Sequence, residues 1–395
     1  MKAFRRLLIA SIGAAAFASC TANGGLIYLN IQKTTKTQTG NIPVDITVTE
    51  MLATGPGDYY VAAGKIYHGT ASAGSSDWSA ISVPQANGQD MLCTALSWDG
   101  ANLWGGFFSP DGSSVGLYER VAGSWTLITG GGAPAGLQIT YVKAFAANAV
   151  FAVAAKMSGG NFAYQLYFYN GGGWATATFG GASTLSRPIT GIGSDGPTNY
   201  YATSANVVYS APIATPTTFT AFFTSTEPND IFRGVFIDTD FAGGPNTLIL
   251  VPSSNQTVSS TGVGGVYYSI SNYNGGAFSE VTTNAGSSYN VGFLCAAGPV
   301  DPEPTYAHVT YLLGADSGYG AGFGFFSLNL SNPASPALNR YNGISYSLYA
   351  SAVNRILVDT SSANLVAMGT INNGLWVTYA VDQTGGFSSN TWTQE

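Results

Sequence analysis

The chain has 395 residues, of which 8% are charged, with a net charge of −7 and 51 glycines, 23 tyrosines and 21 phenylalanines. Lysine and arginine together number 13 and form no basic run beyond the first residues, so no surface is expected to track nucleic-acid phosphates. Few charges beside many aromatic residues argue against a helical protein and for strands joined by tight turns.

The first 19 residues read as an export signal. Lys2, Arg5 and Arg6 make a basic start, Leu7 to Phe17 is apolar and too short to span a membrane, and small residues follow. The stretch Phe17-Ala18-Ser19-Cys20 resembles a bacterial lipobox, with Phe where the usual Leu stands. That resemblance implies cleavage before Cys20, a lipid on its thiol and, because Thr21 is not Asp, outer-membrane retention in a bacterial envelope. Residues 20–40 then form a lipidated linker with one extra strand, Gly25-Leu-Ile-Tyr-Leu-Asn-Ile31, which either pairs with the last repeat or leads from the lipid.

From residue 41 to 395 a short phrase recurs. It begins Thr94-Ala-Leu-Ser-Trp-Asp99, Lys143-Ala-Phe-Ala-Ala-Asn148, Thr190-Gly-Ile-Gly-Ser-Asp195 and Arg233-Gly-Val-Phe-Ile-Asp238, with looser copies at Glu50, Val291 and Arg355. Successive copies start 43 to 64 residues apart, the length of a four-stranded propeller blade. In the second copy, strand a is Met91 to Trp98, strand b Leu103 to Phe108, strand c Val115 to Tyr118, and strand d opens at Ser124-Trp125. Turns between them carry Asp-Gly and Pro-Asp-Gly, as hairpins require. An aromatic residue opens strand d in six copies: Trp78, Trp125, Trp174, Phe219, Phe278 and Trp392. These rings are expected to fill the wedges between blades. The fold class is therefore all-β, a seven-bladed β-propeller of four-stranded antiparallel blades, with eight blades as the alternative. Insertions at Ser253 to Gly265 and around Pro299 to Pro304 belong in loops.

Alternation along strand a puts the first residue of each phrase on the central channel and a small residue after it, where blades crowd the axis. The candidate ligand-binding ring is Glu50, Thr94, Lys143, Thr190, Arg233 and Arg355, with Val291 in the same slot. Arginine and lysine converging with few competing charges suit a carboxylate or sulfate; the alternative is a water-filled structural channel with Arg355 paired to Glu50. Cys93 and Cys295 fall on innermost strands too far apart to bridge and are expected to be buried free thiols. His68 and His308 lie on different blades, so no metal spacing and no catalytic triad emerges, and no cofactor is implied.

The repeat pattern resembles the kelch and Asp-box propellers. Ser75-Ser-Asp-Trp78 and Asp382 to Trp392 echo an Asp-box without meeting its full motif. Sialidase-type members of that group clamp a carboxylate with three arginines, and Arg187, Arg233 and Arg355 can be cast in those places. The Tyr-Glu nucleophile pair and acidic Asp of that family have no motif here. The expected function is a lipid-anchored envelope propeller that binds or scaffolds a protein or glycan partner through its faces. The alternative is a glycan-directed hydrolase working through the central pocket.

Overall fold

A computed structural model describes residues 42–395 apart from 73–74, 159, 228–229, 256–264, 272–275, 283–290, 301–307, 318–321, 341–347, 349–350, 361–364 and 380–391. The expected export signal, Cys20, the expected strand at Gly25 to Ile31, most of both loop insertions and the Asp-box-like stretch before Trp392 lie outside these residues. Every named element among the described residues is a strand. Seven antiparallel sheets follow one another along the chain and make a seven-bladed β-propeller. Their innermost strands are Glu50–Gly55, Leu92–Trp98, Gln138–Ala146, Ile189–Ser194, Phe236–Phe241, Val291–Ala297 and Val353–Asp359, with Asp230–Phe232 as a separate first piece in blade 5. Thr178–Phe179 adds a short parallel strand to the outer edge of blade 4.

Cross-section explains the core. Instead of one hydrophobic centre, buried apolar side chains form seven clusters, and each sits between two neighbouring blades. The aromatic residue of each outer strand packs against the blade before it. Trp174 of blade 3 meets Trp104 of blade 2 edge-on at 6.1 Å, Phe278 of blade 5 stacks on Phe223 of blade 4 at 4.4 Å, and Trp392 of blade 7 faces Phe325 of blade 6 at 5.6 Å. Blade 6, which has no such ring, uses Leu338. Truncating a buried aromatic at such a site typically costs about 3–5 kcal/mol, so these seven wedges hold the ring.

The aspartate of the phrase closes the turn between strands a and b. Asp99 accepts the backbone N–H groups of Ala101 and Asn102 and the indole N–H of Trp104 at 2.8 Å. Asp195 does the same for Thr198 and Asn199 and takes the Tyr201 hydroxyl. Asp238 and Asp359 reach across the blade boundary instead, to the phenols of Tyr311 and Tyr59. These carboxylates are consumed by the fold.

Near the axis the first strand of most blades carries a β-bulge. The pairing skips Thr94, Thr140, Thr190, Leu294 and Asn354, and blade 5 breaks between Phe232 and Phe236. A bulge inserts one unpaired residue and re-aims its neighbours. The residue before it is buried in every blade: Val48, Cys93, Ile139, Ile189, Phe232, Phe293 and Val353. In three blades the bulged side chain staples its blade to the next. Thr94 donates to the Ile139 carbonyl at 2.7 Å, Thr190 to that of Phe232 at 2.7 Å, and the Asn354 amide to that of Val48 at 2.9 Å. All three acceptors occupy the same place in the next blade.

Candidate functional site: the axial cavity

The position after the bulge faces the axis. Around the ring it is Glu50, Ala95, Tyr141, Gly191, Gly234, Cys295 and Arg355. In blades 2, 4 and 5 it is small, and at Gly191 close approach demands this. A Cβ added to Gly191 would lie 2.7 Å from the Gly234 Cα and 2.5 Å from the Val235 nitrogen. The other four blades place Glu50, Tyr141, Cys295 and Arg355 into the space left open. The result is a cavity of about 150 Å³ lined from six of the seven blades, completed by Thr190, Arg233 and an apolar wall that includes Val235, Phe236, Pro252, Leu294 and Ile356.

Among the described residues, two guanidinium groups and one carboxylate line it. Arg355 Nε lies 3.5 Å from Glu50 Oε2, and the two side chains are 31% and 21% exposed. Arg355 Nη1 also donates to the Asn354 carbonyl at 2.7 Å. Burial works against its charge, but Glu50 above all, with Cys295 and Tyr141, more than offsets this and raises its pKa. Arg233 Nε donates to Ser254 Oγ at 2.6 Å, which fixes that side chain from strand b of its own blade. The Tyr141 hydroxyl accepts the Ile192 N–H at 3.4 Å. Burial, then the charge of Glu50, pushes the Tyr141 phenol up to about 12, so it stays protonated at neutral pH. Burial likewise pushes the Cys295 thiol up to about 12. Cys93 and Cys295 are both free thiols; Cys93 is buried, whereas Cys295 is partly open to the cavity.

Of the six residues expected on the channel, Glu50, Thr190, Arg233 and Arg355 line this cavity. Thr94 and Lys143 are not among the lining residues. The hydroxyls of Thr94 and Thr190 are given to backbone carbonyls of the next blade, as described above, and not to the cavity space. Lys143 is three residues beyond the bulge at Thr140. It pairs with Phe151 on strand b, and its ammonium sits 5.7 Å from the centroid of the Phe145 ring, a cation–π distance. Val291 is likewise three residues before Leu294. Arg187 is exposed, its carbonyl accepting from Ser204, and is not a lining residue; the three arginines of a sialidase-type clamp do not come together here. Tyr141 and Cys295 were not expected. The triplets Ile139-Thr140-Tyr141 and Ile189-Thr190-Gly191 carry the signal that finds Tyr141. His68 pairs with Asp58 at 2.5 Å within blade 1, and no group of three or more metal-binding side chains occurs among the described residues.

No protein-family profile and no curated protein matches the chain. Several solved structures share the fold. YCF48 bound to a D1 peptide matches with a TM-score of 0.54 at 12% identity, over 86% of this chain and 94% of that one. YCF48 from Cyanidioschyzon merolae matches with 0.52 at 13%, over 85% and 95%. The GH74 xyloglucanase from Xanthomonas campestris matches with 0.59 at 10% identity, over 89% of this chain and 54% of the enzyme. At these identities the likeness is one of fold.

Proposed function

We propose that this propeller is a lipid-anchored binding module of the bacterial cell envelope that captures an anionic group of a protein or glycan partner in its axial cavity. The observation that carries the capture is the convergence of Arg233 and Arg355 on one cavity walled by six blades. Guanidinium groups held by neighbouring hydrogen bonds recognise carboxylates through charge-assisted contacts. One propeller neighbour, YCF48, is seen with a peptide bound, which agrees with a binding role. Glycoside hydrolysis ordinarily uses two carboxyl groups, whereas Glu50 is the single one among the described lining residues, which supports binding over hydrolysis. The basic start, apolar run and Cys20 support the anchor.

Two measurements test this reading. Fractionation of cells expressing Cys20→Ser should move the protein from membrane to soluble fraction; retention equal to wild type sinks the anchor. Affinity capture from envelope extract should recover a partner with wild type and lose it with Arg233→Ala and Arg355→Ala. Equal recovery by all three sinks the cavity as the binding site.

A further inference from the structure

We propose that the hairpin between strands b and c of blade 3 seats on a lipid bilayer with anionic headgroups, Met157 and Phe162 entering the boundary between headgroups and acyl chains. This rests on the lipid-anchor reading of the protein and names the surface that the anchor brings to the membrane.

Register defines the hairpin. Strands Ala149–Ser158 and Asn161–Tyr169 pair without a break from Val150 and Tyr169 to Ser158 and Asn161. The innermost strand of the blade begins at Gln138, opposite Ala155. Three pairs of the hairpin therefore run past it, a projection of about 10 Å. Alternate pairs share one face of a ladder. Phe151 with Phe168 and Val153 with Leu166 turn that face to blade 4, in the cluster that holds Ile189, Ile192 and Tyr200. Ala155 with Tyr164 comes next, and then Met157 with Phe162. Inside the ring this row is core. At the tip Met157 is 64% and Phe162 53% exposed. The core-facing row thus runs on into solvent as an apolar pair, where a turn that only joins two strands is ordinarily polar.

Charge and placement choose the occupant. The chain carries a net charge of −7, yet Lys156 beside the tip is exposed, and so is Arg187, two residues past the Leu185 that pairs with Tyr164. A projecting apolar pair flanked by cations suits a bilayer, which closes around it: ring and thioether enter the apolar boundary while the cations meet lipid phosphates. The chain also enters the propeller at this end. Innermost strands start here, so the turns between strands b and c of blades 3 and 7 lie at one end of the ring. Ile46 accepts the Gly374 N–H and Thr47 donates to Asn372, both in the blade 7 turn. Ile371 of that turn is exposed as well. Residues 20–41 precede this point and span at most about 75 Å. A lipid on Cys20 therefore tethers the ring by the end that carries the hairpin, and the hairpin adds a second contact that fixes how the ring stands.

The test uses vesicles of phosphatidylglycerol and phosphatidylethanolamine. Met157→Cys puts a thiol at the tip, and Val121→Cys puts one at the last residue of strand Val115–Val121, at the opposite end of the ring. Burial pushes the Cys93 and Cys295 thiols up to about 12, so a nitroxide reagent goes to the new thiol. On the full chain bound to vesicles, the label at 157 should collide with oxygen more than with a water-soluble nickel complex, and the label at 121 should not. In the Cys20→Ser chain, adding Met157→Ser and Phe162→Ser should weaken vesicle binding about tenfold or more, and so should neutral phosphatidylcholine in place of the anionic mixture. A label at 157 as wet as the one at 121 overturns the hairpin contact and leaves the anchor standing. Unchanged binding with the two serines also overturns it. If the chain carries no lipid on Cys20 yet binds vesicles through Met157 and Phe162, the anchor alone falls. If no form of the chain binds vesicles, both fall. If the serines spare vesicle binding but lose a protein captured from envelope extract, the hairpin seats on a protein and the lipid assignment is wrong.

Discussion

The phenol of Tyr59 in the first blade donates to Asp359 of the last blade at 2.6 Å, and both residues are buried. Asp359 also accepts the Gly57 N–H at 3.2 Å. A bond to a carboxylate in such surroundings is worth about 1.5–3 kcal/mol. Tyr59→Phe should lower stability to urea unfolding by about that amount with the blades otherwise intact. A loss well below 0.5 kcal/mol would show that the pair does not hold the seam.

The alkaline limb of stability follows from the same phenol and its relatives. Burial, then Asp359, raises the pKa of Tyr59; burial, then Asp230, raises that of Tyr267; and burial, then Asp195, pushes Tyr201 up to about 12. The fold favours the neutral phenol in each case. Their contribution is therefore complete below the ordinary tyrosine pKa of about 10 and is lost as pH rises above it. Tyrosinate absorbance should lag behind that of the unfolded chain and rise together with loss of sheet signal. Titration of all tyrosines at the ordinary pKa in the folded protein would contradict this.

The Thr190 staple has a structural task separable from the cavity charges. Thr190→Val leaves the Phe232 carbonyl without this donor and should cost about 0.5–1.5 kcal/mol, measured by thermal or urea unfolding. Its affinity for a carboxylate probe should stay within about twofold of wild type, since less than 0.5 kcal/mol is at stake. A tenfold loss of affinity would place the hydroxyl on the ligand.

Arg233→Ala and Arg355→Ala should each weaken carboxylate binding about tenfold or more, from charge-assisted bonds of roughly 1.5–3 kcal/mol. Lys143→Ala should not, because its ammonium lies over Phe145 and outside the lining. Calorimetry on the three variants reads this directly. Equal losses in all three would restore Lys143 to the cavity.

Cys295 offers a chemical probe of the same space. With its thiol pushed up to about 12 by burial, the reactive thiolate is on the order of 1 in 10,000 at pH 8. Alkylation by iodoacetamide, followed at Cys295 by mass spectrometry, should be at least about 100-fold slower than for an exposed cysteine. Reaction at an ordinary rate would mean that the cavity is wetter than its lining implies.

The ring was legible because its signals are local. The turn aspartates Asp99, Asp195 and Asp238 and the outer-strand rings recur at blade spacing, and each marks a contact that every blade must make. The cavity was legible only in part, because a bulge is invisible to strict alternation. Counting back from the turn marker put Thr190 and Arg233 at the bulge register but set Glu50 and Arg355 one residue past it. In blade 3 the innermost strand, Gln138–Ala146, has nine residues against six in Ile189–Ser194. Asn148 therefore stands three places late as a marker, and Lys143 took the place that belongs to Thr140. The buried apolar residue with the bulged Thr after it is the better ruler, since an apolar residue is buried at that place in all seven blades. Nothing in the sequence alone shows which blades leave room for Tyr141 and Cys295; that depends on Gly191 meeting Gly234 across a blade boundary.

The residues leading into blade 1 lie along blade 7. Val48 donates its N–H to Thr370, Gly374 donates to Ile46, and Thr47 bonds Asn372, 325 positions away. Gly374 has φ +66° and an added Cβ would come within 3.1 Å of Pro43 O, so the fit is tight. No strand is exchanged here among the described residues. During synthesis the apolar side chains Met51, Tyr59, Val61 and Trp78 emerge first, yet their cover, Leu365, Leu375 and Val377, emerges last. The oldest blade waits longest for its neighbour. Contacts of such long range form late, so a nascent or truncated chain carries an open sticky face on blade 1 until nearly all of the ring is made.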